Sequence, residues 1–218
     1  MKVTIAFVPV MLGIILHEVA HGWVASKCGD LTAKMLGRLT LNPIKHIDPT
    51  GTLLFIMTAI ASPVIFGWAK PIPVNPRNLH NPRTDMMLLS FAGPFTNILL
   101  ALAFAVCQKM LLTFIPPQEA SATAVFFFKM FRIGVFANIA LAWINLMPIP
   151  PLDGSRIVAG LLPVRMAYHY ESLSRYGFVL LFILLLTGVI GKVLWPLIRV
   201  SLEFIAAFLD LDIRSIIP

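Results

Sequence analysis

The chain is short of charge. Only 12% of its 218 residues are Asp, Glu, Lys or Arg, against about a quarter in ordinary soluble domains. Hydrophobic residues make up 58% of it and the mean hydropathy is +0.87. A soluble core cannot absorb that much apolar side chain, so a soluble globular fold is excluded and a lipid bilayer is the expected surrounding. Cysteine is scarce too. Cys28 and Cys107 are too few and too far apart for a disulfide framework or a Cys-based zinc site, and they read as small apolar residues. The net charge of +7 comes without any basic stripe interleaved with aromatics, so no nucleic-acid partner is expected. Positive loops facing anionic lipid and the cytoplasm account for it better. No internal repeat or low-complexity linker divides the sequence, so residues 1–218 are expected to form one membrane domain. No cleavable signal is expected, because the first apolar run carries the motif on which the chemistry rests.

Long apolar stretches are what the chain has in abundance. They cover residues 3–26, 51–68, 86–115, 123–147 and 177–198, and crossing a bilayer takes about 20 such residues. Four of them meet that length, whereas 51–68 is interrupted by Ser62-Pro63 and Gly67. The 17 Pro and 13 Gly are better tolerated in such helices than in soluble ones. Between the first two runs, Leu31, Ala33, Met35, Leu39 and Leu41 alternate with Thr32, Lys34, Arg38 and Thr40. Period-two alternation predicts a strand or hairpin over 31–41, with Gly37 inside it. Such a strand either pairs with an unwound substrate as an added edge or lies on the membrane surface. Pro71, Pro73, Pro76 and Pro82 make 70–83 a polar loop. The stretch 199–211 reads as an amphipathic helix at the interface or against another subunit of a homo-oligomer. The predicted class is therefore all-α and polytopic. It has about four transmembrane helices, a re-entrant segment and a short membrane-associated β-hairpin or strand.

Within the first apolar run stands His17-Glu18-Val19-Ala20-His21, an H-E-x-x-H motif. Residues four apart lie one turn above each other on a helix, so His17 and His21 can grip one metal ion. Glu18 beside them can take a proton from water activated by that ion. Ionisable groups at membrane depth are costly and mark function by default. A catalytic zinc keeps three protein ligands and one open position. Among the ten acidic residues, Asp153 alone closes a long apolar span, in Asn145-Leu-Met-Pro-Ile-Pro-Pro-Leu-Asp-Gly154. Pro148, Pro150 and Pro151 should unwind the chain there, which lipid permits only where protein covers the backbone or water reaches it. From spacing alone, Asp153 is either the third ligand or the N-cap of the helix that follows. His46 and Asp48 suggest turn chemistry, since Asn42-Pro43 and Asp48-Pro49 mark turns, and a second metal site there stays open.

HEVAHG followed by NLMPIPPLDG resembles the site-2 protease family of intramembrane zinc metalloproteases, and Ala92-Gly93-Pro94-Phe95-Thr96-Asn97 resembles the A-G-P-x-x-N stretch between its two signatures. The likeness covers residues 17–154, and with no PDZ-like or CBS-like insertion it is to the compact prokaryotic-type members. It implies one Zn2+ per chain held by His17, His21 and Asp153, with Glu18 as general base. It implies that Asn145 lies near the substrate backbone, and that transmembrane protein or peptide substrates are cut in the cell membrane. Asn97 reads as helix–helix packing and hydrogen bonding. For all three ligands to meet, 51–68 must enter and return with a bend near Ser62-Pro63. A catalytic core over 3–160 is then followed by a C-terminal helix and tail over 174–218. In that layout the basic loops share one face with the site, which by the positive-inside rule opens toward the cytoplasm. Two rival readings are a metal transporter and an inactive scaffold for membrane helices.

Overall fold

The structure, a computed structural model, describes residues 2–51, 53, 57, 69–115 and 120–217. All regular structure among them is helical. Helix α1 (Lys2–Lys27) is followed by a single helical turn, α2 (Thr32–Met35), and by a 3-10 turn at Pro43–His46. Then come α3 (Pro82–Phe114), α4 (Ala122–Asn145), α5 (Asp153–Leu161), α6 (Val164–Ser172), α7 (Ser174–Leu186) and α8 (Val189–Phe208). Three of these are long and apolar enough to cross a membrane: Ile5–Lys27, Pro82–Phe114 and Ala122–Asn145. The chain is a multi-pass membrane protein.

Local chemistry sets the helix ends. Pro82 occupies the first turn of α3, where its missing N–H costs nothing, and the Asn81 N–H donates to Asp85 in that turn. Ser121 caps α4 by accepting from the Ala124 N–H. Helices α1, α3 and α4 pack on one another through small residues. A Cβ at Gly134 would sit 2.7 Å from the Phe104 ring, so the glycine is what lets α3 and α4 close. Helix α8 lays Ile190, Leu194, Ile198, Leu202 and Ile205, a stripe at helical spacing, into the same core as Val135 and Ile139 of α4. The Trp143 indole of α4 donates to Ser201 of α8 at 2.9 Å.

Two expectations are corrected. Residues 31–41 form no strand. Asp30 accepts from the N–H and hydroxyl of Thr32, starting a helical turn. Gly37, at φ +63°, ends it with a pair of bonds, Gly37 N–H to Lys34 and Arg38 N–H to Ala33. That is a Schellman closure, which needs a residue in the left-handed region. Local capping overrides the alternating pattern, so this segment offers no free edge to a substrate. The 177–198 run is not one straight span either: α7 and α8 meet at 78° around Gly188 (φ +71°). Among the described residues the span count is therefore three, or four if that bent pair is one crossing. The expected amphipathic tail is the continuation of α8. The proposed bend of 51–68 near Ser62-Pro63 lies outside the described residues.

Candidate metal centre

His17 and His21 sit one turn apart on α1, buried, with ring centroids 4.6 Å apart and planes at 89°. Their Nδ1 atoms are both spoken for. His21 Nδ1 lies 2.7 Å from the Leu89 carbonyl of α3, which can only accept, so it carries the proton. His17 Nδ1 lies 2.6 Å from Asn97 Oδ1. The Asn97 amide nitrogen donates to the Gly13 carbonyl at 3.1 Å and to Asn138 Oδ1 at 3.0 Å, so its oxygen is the acceptor. His17 Nδ1 is therefore protonated as well. Both rings turn their Nε2 lone pairs inward, with the tautomer fixed from behind in the manner of metal-ligating histidines.

Asp153 meets them there. After Asn145 the chain leaves α4, turns through the Pro148–Pro151 stretch and enters α5 at Asp153. Helix α5 is docked on α3, where Arg83 Nε donates to the Gly160 carbonyl at 2.7 Å. The cap position of α5 falls to Leu152, and Asp153 is the first residue of the helix itself. Its Oδ2 lies 3.0 Å from His17 Nε2 and 3.2 Å from His21 Nε2. Three potential ligand atoms thus converge, each within 4.8 Å of the others. Such a cluster calls for a cation. Tetrahedral coordination at bond lengths of about 2.0–2.1 Å puts ligand atoms about 3.3 Å apart, so the donors fit zinc in kind and in spacing. Gly93 leaves room for them, since a Cβ there would stand 2.6 Å from both Nε2 atoms.

Glu18, half-buried, faces a cavity of about 170 Å³ that is also lined by His17, His21, Asp153 and Asn145. One carboxylate oxygen, Oε2, accepts from the Ile72 N–H at 2.8 Å. Asn145 gives one amide hydrogen to the Leu141 carbonyl at 3.0 Å and keeps its place on the cavity wall. Asp30, outside the membrane-spanning helices, is fully buried. Burial alone would raise its carboxyl, but bonds from Thr32, Asn78 and Asn75 outweigh that and hold it below the ordinary carboxylate range. His46 donates to the Thr40 carbonyl and Asp48 accepts from the Gly51 N–H, so both serve turns. Among the described residues His17, His21 and Asp153 form the one group of metal-binding donors.

His17, Glu18, His21, Asp153 and Asn145, the residues singled out in the sequence, line one cavity. The roles of Gly93 and of the bond from His17 to Asn97 emerge only in the structure, although the spacing of four between Gly93 and Asn97 puts both on one helical face. Nothing in the sequence pointed to the Leu89 carbonyl or the Ile72 amide.

An H-E-x-x-H helix whose histidines meet a distant carboxylate in a multi-span helical fold defines a zinc metalloprotease of the membrane. The chain belongs to peptidase family M50, the site-2 proteases. The profile described as "Peptidase family M50" matches residues 110–187. The chain is 39% identical over 199 residues to "Putative zinc metalloprotease YwhC" of Bacillus subtilis, covering 91% of this chain and 87% of that one. It is 27% identical over 195 residues to "Putative zinc metalloprotease Rip2" of Mycolicibacterium smegmatis, covering 89% and 71%. A Mycobacterium tuberculosis protein of the same name is 30% identical over 144 residues, 66% and 52%. No solved structure matches the chain significantly.

Proposed function

We propose that this metalloprotease cuts peptide bonds within or near transmembrane segments of membrane-protein substrates, in the cell membrane, from a site open to the cytoplasm. The observation that carries the reading is the depth of the site. His21 and His17 stand six and ten residues before Lys27, where the spanning part of α1 ends, which is roughly 9 and 15 Å at about 1.5 Å per residue. A catalyst at that depth has no evident use for a soluble substrate.

His17 and His21 through Nε2, and Asp153 through Oδ2, are the residues that would hold zinc. Bound there, the ion supplies Lewis acidity to the scissile carbonyl and to water. Glu18 takes the proton of the attacking water and returns it to the leaving amine. Asn145, on the wall of the same cavity, holds the substrate backbone by hydrogen bonds. Asn97 and Leu89 keep both imidazoles in the tautomer that leaves Nε2 free.

Glu18→Gln keeps the size of the side chain and removes its basicity. The purified variant should retain zinc while cleavage of a test transmembrane peptide falls by about 10²- to 10⁴-fold. Undiminished cleavage would refute Glu18 as the base. Zinc flux into liposomes without cleavage would point to the transporter instead.

A further inference from the structure

The Lys70–Asn75 segment, Lys-Pro-Ile-Pro-Val-Asn, runs without regular structure past the mouth of the site, and Pro71, Ile72 and Val74 line the cavity. It is fastened at both ends and in the middle. At one end Lys70 N–H donates to the His46 carbonyl at 2.9 Å. There the Arg38 guanidinium also donates to the Lys70 carbonyl at 2.8 Å and the Pro71 carbonyl at 3.4 Å. At the other end Asn75 N–H donates to Asp30 Oδ2 at 2.7 Å. In the middle Ile72 N–H donates to Glu18 Oε2 at 2.8 Å. The flanking prolines have no N–H and a fixed φ, so Ile72 is the sole backbone donor between Lys70 and Val74, on a stiffened piece of chain. The Ile72 side chain is buried over Gly22, where a Cβ would come within 3.1 Å of it.

Arg38 is the unexpected member. Its side chain is buried, it makes no ion pair among the described residues, and its Nε has no hydrogen-bond partner. A buried guanidinium without a carboxylate is costly to keep. Helix stability does not call for it either, because α2 is closed by backbone bonds and Gly37. What the guanidinium does contact is the Lys70–Asn75 segment, a strap over the site, two residues and one residue before the amide that holds Glu18.

We infer that Arg38 is a positioning residue for the reaction: by clamping the Lys70 and Pro71 carbonyls it sets the strap so that the Ile72 amide orients the Glu18 carboxylate. This rests on Glu18 being the base. The amide commits Oε2 and fixes the plane of the carboxylate, which is what a proton acceptor needs from its surroundings. Asp30 and the Ile72 side chain hold the far end and the depth of the strap, and Arg38 fixes the near end at Lys70 and Pro71.

The test uses the full-length, zinc-loaded protein in detergent micelles and reads two quantities. One is hydrogen–deuterium exchange in a peptide spanning 69–75, and the other is kcat and KM separately for a transmembrane test peptide. Arg38→Ala should deprotect the strap amides, leave zinc content unchanged and lower kcat about 10- to 100-fold, with KM within about threefold. Ile72→Pro, which removes the amide hydrogen, should reproduce the kcat loss. Ile72→Ala, which keeps the amide, should lose less. Glu18→Ala should itself deprotect the strap, reading the contact without reference to activity. Unchanged kcat in either Arg38→Ala or Ile72→Pro overturns the inference, as does strap exchange indifferent to both Arg38 and Glu18. Loss of zinc in Arg38→Ala would also overturn it, and if that variant fails to fold, Arg38→Met, which keeps the buried stem and removes the donors, is read by the same two quantities and decides. Full activity of Glu18→Gln would instead sink the base reading, and strap protection in Glu18→Ala would show separately whether the contact exists.

Discussion

At the residue scale the site depends as much on what stands behind the histidines as on the histidines themselves. Their spacing was legible, because an i, i+4 pair can only mean one thing on a helix face. What fixes their tautomers was not legible, because a backbone carbonyl such as that of Leu89 has no sequence signature. Asn97 was visible as a polar residue in an apolar helix, and helix–helix packing explained it well enough to hide its bond to His17. Gly93 is the sharper case. On propensity alone, Ala is a better residue in the middle of α3, yet a Cβ there would collide with both imidazoles at 2.6 Å. Gly93→Ala should therefore leave the helix content intact and lower zinc affinity by about 10- to 100-fold. Zinc titration of the metal-free protein measures it, and an unchanged affinity would show that the rings have room to move.

At the scale of the element, the strap and α2 show where pattern reading fails. Period-two alternation over 31–41 is weak over so short a stretch, and two local devices outvoted it: the Asp30 side chain at one end and Gly37 at the other. Sequence did show that 70–83 is not a helix, but not that Lys70–Asn75 is pinned to Glu18, since all its anchors are tens of residues away. Asp30 ties α2 to that strap, which makes its charge a stability element. Its folded-state pKa is lowered, so its contribution is present above the unfolded value of about 4 and is lost as pH falls through the lower folded value. Asp30→Asn should cost about 2 kcal/mol near neutral pH. The gap in melting temperature between the two proteins should narrow as pH drops below about 4. A gap that stays constant down to pH 3 would mean that the carboxylate charge is not what holds the loop.

At the scale of the molecule, composition decided the class before any motif did: too little charge and too much apolar length for anything but a membrane protein. The packing of α1, α3 and α4 agrees with the long apolar runs that predicted them. The break between α7 and α8 does not, because hydropathy averages over Gly188 and carries no information about direction. The fold brings residues 17, 21 and 153 together by docking α5 on α3, and that meeting was required by the chemistry before it was seen. What the molecule does then turns on whether this cluster is a zinc centre acting on bonds inside the bilayer. The most direct measurement is to reconstitute the protein with a transmembrane substrate in liposomes, map the cut by mass spectrometry, and repeat after chelation and after zinc is restored. A cut within or at the edge of the membrane segment is expected, abolished by the chelator and recovered with zinc. Cleavage that persists in the chelator, or is confined to soluble regions of the substrate, would contradict it.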